Sequence, residues 1–175
     1  MMKKIPVTHS THPVYGWLAA LYSASFPIFE QRTRQQQECA FSSANYHVTV
    51  YEENDVFIGF IAFWEFDAYV YIEHCAIDRG LRGQGYGSRL LTGFIAECSK
   101  RVLLEIDPVI DEISKARLGF YKKCGFHENP FPHVHPPYRE GYKPHSLMVL
   151  TTGRTITERE YRTFHTDLNA VVMNF

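Results

Sequence analysis

The chain has 175 residues, 45% of them hydrophobic and 21% charged, a size that suits one compact domain spanning 1–175. Its 18 basic and 19 acidic residues give a net charge of −1 and form no long cationic block, which excludes the electrostatic footprint of a DNA or RNA binder. No apolar h-region follows Met1-Met2-Lys3-Lys4 and no run of about 18 apolar residues occurs, so neither an export signal nor a membrane span is expected, and the expected compartment is the cytoplasm.

Val14, Trp17, Leu18, Leu21 and Tyr22 recur at helical spacing, and Pro27 ends the helix they predict. A polar helix follows over Gln31 to Ala40. His47 to Tyr51 and Val56 to Trp64 read as strands, joined through the turn signal Glu53-Asn54-Asp55 into an antiparallel hairpin. Tyr69 to Ile77 is a third strand. Leu90, Leu91, Phe94, Ile95 and Cys98 mark the next helix, and Val102 to Ile106 the next strand. Ile113, Ala116, Arg117, Phe120, Tyr121 and Cys124 predict one face of a further helix, which Gly125 stops.

Phe126 to Pro144 holds five of the nine prolines and reads as a loop. Ser146 to Thr151 is a last strand, and Thr155 to Glu158 has the spacing of a capping box for a terminal helix. Early hairpins and later βαβ crossovers together imply an α+β domain with a mixed sheet. The four cysteines, Cys39, Cys75, Cys98 and Cys124, are scattered and read as reduced thiols.

The stretch from Tyr71 to Leu91 carries the most information. A strand enters Arg79 to Gly87, which holds four glycines, and a helix leaves it. Helix N-termini offer free backbone N–H groups and a partial positive charge, a setting that suits phosphate. Arg82 adds a charge-assisted donor. The dinucleotide pattern G-x-G-x-x-G competes for this turn, but it would need glycine where Ser88 stands, and early hairpins do not suit that fold.

Arg82-Gly83-Gln84-Gly85-Tyr86-Gly87 resembles the acetyl-CoA-binding signature Gln/Arg-x-x-Gly-x-Gly/Ala of the GNAT superfamily of N-acetyltransferases. The segment from Arg117 to Phe126 resembles that family's Phe-Tyr…Gly-Phe helix. The resemblance implies a mostly antiparallel, twisted sheet flanked by helices, with splayed middle strands. It implies that backbone N–H groups of Arg82, Gly83, Gln84, Gly85, Tyr86, Gly87 and Ser88 hold the pyrophosphate of acetyl-CoA. It also implies that Cys75, Ala76 and Ile77 pair with the pantetheine arm.

Acetyl transfer to an amine needs a base for the ammonium proton and an acid for the leaving thiolate. Glu73 and Glu105 stand inside apolar strands, where burial would raise a carboxylate pKa toward a working range, and they are the candidate bases. His74 is a rival that strand alternation places on the face opposite Glu73. Tyr121 is the candidate acid by its place in the resembling helix. His127, His133 and His135 invite a metal reading, but a proline-rich acceptor loop fits them better and no metal is expected. Glu30, Glu65 and Asp67 would suit a cationic amine on a small molecule or peptide. The competing readings are a non-catalytic acyl-CoA sensor of the same fold, and an interaction protein dimerised through Ile156 to Asn174.

Overall fold

Alternation along β2 (Tyr46–Glu53) sets the layering: Tyr46, Val48 and Val50 are buried on one face, while His47 is exposed on the other. The computed structural model describes residues 1–175. In it β2 and β3 (Val56–Glu65) form a hairpin whose turn residues Asn54 and Asp55 have φ of 52° and 61°. Positive values at both positions belong to a type I′ turn, whose twist matches that of the strands it joins. β4 (Tyr69–Ile77) continues the antiparallel ladder on β3. Lys3–Pro6, which periodicity passes over, forms β1 on the outer edge of β2.

The remaining strands are β5 (Arg101–Ile106), β6 (Phe126–Glu128), β7 (His133–His135) and β8 (His145–Thr152). The sheet order is β1-β2-β3-β4-β5-β8-β6, with β7 also paired to β8. The stretch read as one proline-rich loop thus contains two short strands, both recruited by β8. Their three-residue length carries too little pattern to be read before a partner strand is in place.

Helices α1 (Tyr15–Ser25), α2 (Arg34–Phe41) and α5 (Glu158–Asp167) cover one face. There Leu18, Leu21, Ala40 and Phe164 pack with Val48, Val50 and Phe60. Helices α3 (Tyr86–Glu97) and α4 (Glu112–Lys123) cover the other, where Leu90, Leu91, Phe94 and Leu118 meet Ile61, Val70 and Ile72. No helix is long and apolar enough to cross a membrane.

Two helix details correct the sequence reading. On α4 the inward residues are Ser114, Leu118 and Cys124, whereas Ile113 is 74% exposed and Phe120 37% exposed. The start fixes this rotation: Asp111 caps the helix by accepting from Ser114 N at 2.8 Å, and the Ser114 hydroxyl accepts from Ile110 N at 2.9 Å. At α5 the capping box is Thr157 with Glu160, not Thr155 with Glu158. Ile156 is held outside the helix because its N–H donates to Asn129 Oδ1 at 2.7 Å.

The architecture opens a gap in the middle of the sheet. β4 and β5 pair in parallel only from Tyr69↔Arg101 to Ile72↔Leu104. Beyond Ile72 the strands part, while β5 stays paired with β8 through Ile106↔Met148. At the parting point the β3–β4 register slips: Phe63 faces Ile72 and Ala62 faces His74, so Glu73 is a bulged residue without a partner.

Candidate active site

The parted strands border a cleft of about 610 Å³. Cys75, Ala76 and Ile77 line it from β4, a stretch that pairs with β3 and leaves its other backbone edge unpaired toward β5. Arg82 marks the end of the cleft beside the glycine turn. Gly83 and Gly85 have φ of 78° and 82°, a left-handed conformation that a side chain disfavours. None of the backbone N–H groups from Gly83 to Ser88 donates to a protein acceptor, and a Cβ at Gly83 or Gly85 would meet no atom within 4 Å. The turn therefore presents a row of free donors on open space at the N-terminus of α3, and this arrangement fits a pyrophosphate.

The bulge decides how the β4 side chains face. Regular alternation would put Glu73 and His74 on opposite sides of the sheet. Instead both turn to the face of α1: Glu73 meets Trp64 of that core, and His74 lies edge-on to Tyr22 and Phe26, with ring centroids at 4.9 and 4.7 Å. The extra residue at the bulge resets the period-two pattern, which corrects the opposite-face expectation.

Glu73 is enclosed, and all its partners are donors. Arg32 Nη2 lies 2.7 Å from Oε2, the Tyr138 hydroxyl donates to Oε2 at 2.8 Å, and Trp64 Nε1 donates to Oε1 at 2.9 Å. Burial acts to raise its pKa, but the Arg32 charge and these donors outweigh it and bring the carboxyl from 4.5 to about 2. The expectation that burial would make Glu73 a stronger base is thus reversed, because the strand buries the carboxylate together with its counter-ion. Arg32 is in turn caged by the rings of Trp64, Tyr138 and Phe175 at 5.5–5.6 Å.

Glu105, on β5, accepts from the Tyr71 hydroxyl and lies 2.5 Å from His133 Nε2. His133 Nδ1 is 2.9 Å from the Tyr161 hydroxyl of α5. Burial raises the Glu105 pKa, but nearby His135 and the bond from His133 outweigh it and hold the carboxyl below its usual value. This too departs from the raised value expected for a lone buried carboxylate.

His135 lies on β7 opposite His145, is only 2% exposed, and lines the cleft. Its Nδ1 sits 2.7 Å from the carbonyl oxygen of Pro136. A carbonyl only accepts, so Nδ1 carries the proton, and in the neutral ring Nε2 holds a free lone pair. Nε2 has no protein partner, and the ring lines the cleft. Tyr121 faces the same cleft from α4, and its hydroxyl likewise has no protein partner and is not enclosed. Burial, then the neighbouring Cys75, raises the Tyr121 pKa and keeps the phenol protonated.

The structure thus brings the sequence candidates Tyr121, Cys75–Ile77, Arg82, Glu73 and Glu105 to one cleft, whereas sequence reasoning misses Arg32, Tyr138 and the place of His135 on its wall. The histidine-rich loop is the signal that could have found His135, since histidine is the side chain whose ordinary pKa lies near neutrality. Of the acceptor candidates, Glu30 lines the cleft, whereas Glu65 pairs with Lys100 at 2.9 Å at the opposite end of β4.

Residues 11–126 match the sequence profile described as the Acetyltransferase (GNAT) family. The chain belongs to the GNAT family of acetyltransferases. A solved structure from Bacteroides thetaiotaomicron, assigned to the same family, has a TM-score of 0.91 and 29% identity over 99% of both chains. A GNAT family acetyltransferase from Elizabethkingia anophelis, solved with acetyl-CoA bound, shares the fold at a TM-score of 0.57 and 16% identity, covering 86% of this chain and 97% of its own. YjbC of Bacillus subtilis (strain 168), assigned as an acetyltransferase, is 27% identical over 113 residues, 63% of this chain and 56% of that protein's length.

Proposed function

We propose that this protein transfers an acetyl group from acetyl-CoA to a primary amine of a small molecule or peptide, with His135 as the base and Tyr121 as the acid. One observation carries the reading: His135 and Tyr121 both line the cleft that the free edge of β4 borders, and His135 Nε2 and the Tyr121 hydroxyl bond to no protein group. The free N–H groups of Gly83–Ser88 would hold the pyrophosphate and Cys75–Ile77 the pantetheine arm. Acetyl-CoA supplies the activated thioester.

The chain's residues supply the proton transfers. His135 Nε2 takes the proton that the amine must lose. Tyr121 gives its proton to the departing sulfur. Glu73 and Glu105 act as fixed charges around the acceptor, since each already accepts bonds from the protein. Phe29 and the half-buried Glu30 line the cleft mouth and suit a cationic amine.

The test is thiol release from acetyl-CoA across a panel of amines. His135→Gln should lower kcat/KM by about 10²–10⁴, the range for a lost general base, while acetyl-CoA still raises the melting temperature. A wild-type rate in His135→Gln with a dead Glu105→Gln would return the role of base to the carboxylate.

A further inference from the structure

A second cavity of about 230 Å³ lies on the α1 face of the sheet, outside the cleft. Its apolar side is formed by Leu18 and Ala19 of α1 with Val48, Phe60 and Ala62 of β2 and β3. Its polar side is formed by Arg32, Arg34 and Arg139, together with Tyr15, Tyr22 and Tyr46. No aspartate or glutamate lines it. Two partitions separate it from the cleft: Tyr22, packed edge-on to His74, and Arg32, whose guanidinium pairs with Glu73.

The cavity carries more donor capacity than the protein uses. Arg34 makes no side-chain hydrogen bond or ion pair. Arg139 bonds only to the carbonyl oxygens of Gln31 and Arg32, at 3.0 and 3.2 Å, so no carboxylate balances its charge. The Tyr22 and Tyr46 hydroxyls accept from Arg32 N at 2.8 Å and Gln37 Nε2 at 3.1 Å, which leaves each of their own protons to donate. The Tyr15 hydroxyl has no partner. Two guanidiniums that form no ion pair, and three phenols, thus border a space with an apolar floor.

We propose that this cavity is a second binding site, for a small molecule that carries one carboxylate on an apolar or aromatic body. Guanidinium matches a carboxylate with two parallel bonds, and the apolar floor excludes a hydrated inorganic anion. The cavity is smaller than the roughly 300–1,000 Å³ of sites for drug-sized ligands, which restricts the occupant to about one ring or a short chain. Arg32 and Tyr22 form part of both walls, so an occupant would bear on the setting of Glu73 and His74. The site does not depend on the acetyl-transfer reading.

Benzoate is the test probe, with benzamide as its neutral analogue of the same shape and inorganic phosphate as the hydrated anion. Calorimetry and melting curves are recorded on the full chain with and without acetyl-CoA. The expected result is one benzoate per chain, bound equally in the presence of acetyl-CoA, with no binding of benzamide or phosphate. Arg34→Gln combined with Arg139→Gln should weaken benzoate at least tenfold, and Ala19→Leu, which fills the cavity, should abolish its binding. Arg34→Gln alone should weaken it in the same direction, and this exposed side chain makes no hydrogen bond or ion pair within the fold. Four results would each overturn the proposal: no benzoate binding up to about 10 mM, equal binding of benzamide, competition by acetyl-CoA, or unchanged binding in Arg34→Gln.

Discussion

Glu73→Gln removes a charge from a pair that is closed to water, with side chains 1% exposed at Arg32 and 0% at Glu73. Glutamine keeps one acceptor oxygen, so with Trp64 donating to it the amide NH2 faces Tyr138 and Arg32, and Arg32 is left as an uncompensated buried cation. Such a break costs about 3–5 kcal/mol. The depressed carboxyl points to a similar figure: a move from 4.5 to about 2, at roughly 1.4 kcal/mol per unit, corresponds to about 3 kcal/mol. For a domain of this size the melting temperature should fall by on the order of 10 °C. The pH dependence follows from the sign of the shift. A depressed carboxylate contributes stability fully above 4.5, and that contribution is lost as the pH falls through about 2. Urea unfolding of wild type and variant should therefore differ most at pH 7, and the gap should narrow between pH 4.5 and 2. Replacing both partners, Arg32→Met with Glu73→Leu, should recover much of the loss, because no charge is then stranded. A Glu73→Gln variant within about 1 kcal/mol of wild type at pH 7, or a gap that does not change with pH, would refute the account of Glu73 as a buried structural charge.

Gly85→Asp should abolish the rise in melting temperature produced by acetyl-CoA, since it sets a carboxylate at the free N–H groups and strains a residue at φ 82°. Tyr121→Phe should lower kcat about tenfold to a hundredfold with little change in KM for acetyl-CoA, because the hydroxyl acts mainly in the transition state; unchanged kcat would make Tyr121 a packing residue. Gly59→Ala should destabilise the fold by about 3 kcal/mol or more, read by urea unfolding, because its Cβ would sit 2.3 Å from the Ala76 carbonyl oxygen. A mild effect there would mean that β3 and β4 can separate at the base of the cleft.

Local pattern carried most of the architecture. The alternating strands β2 and β3, the turn at Asn54-Asp55, the helical spacing of Leu90, Leu91 and Phe94, and the glycine turn at α3 depend on residues a few positions apart, so one pass along the chain reads them. The GNAT resemblance follows from the same local motifs. What the chain could not show alone was the set of partners each buried group meets. Arg32 and Glu73 are 41 residues apart, Glu105 and His133 are 28, and Tyr138 reaches Glu73 across 65. Only the pairing of β7 with β8 brings His135 to the wall of the cleft. Only the slip of register against β3 puts Glu73 beside His74 on one face. A buried carboxylate reads as a strong base when only its strand is known, and the packed fold surrounds it with donors that make it a weak one, since charge in a low-dielectric interior persists only where tertiary contacts neutralise it.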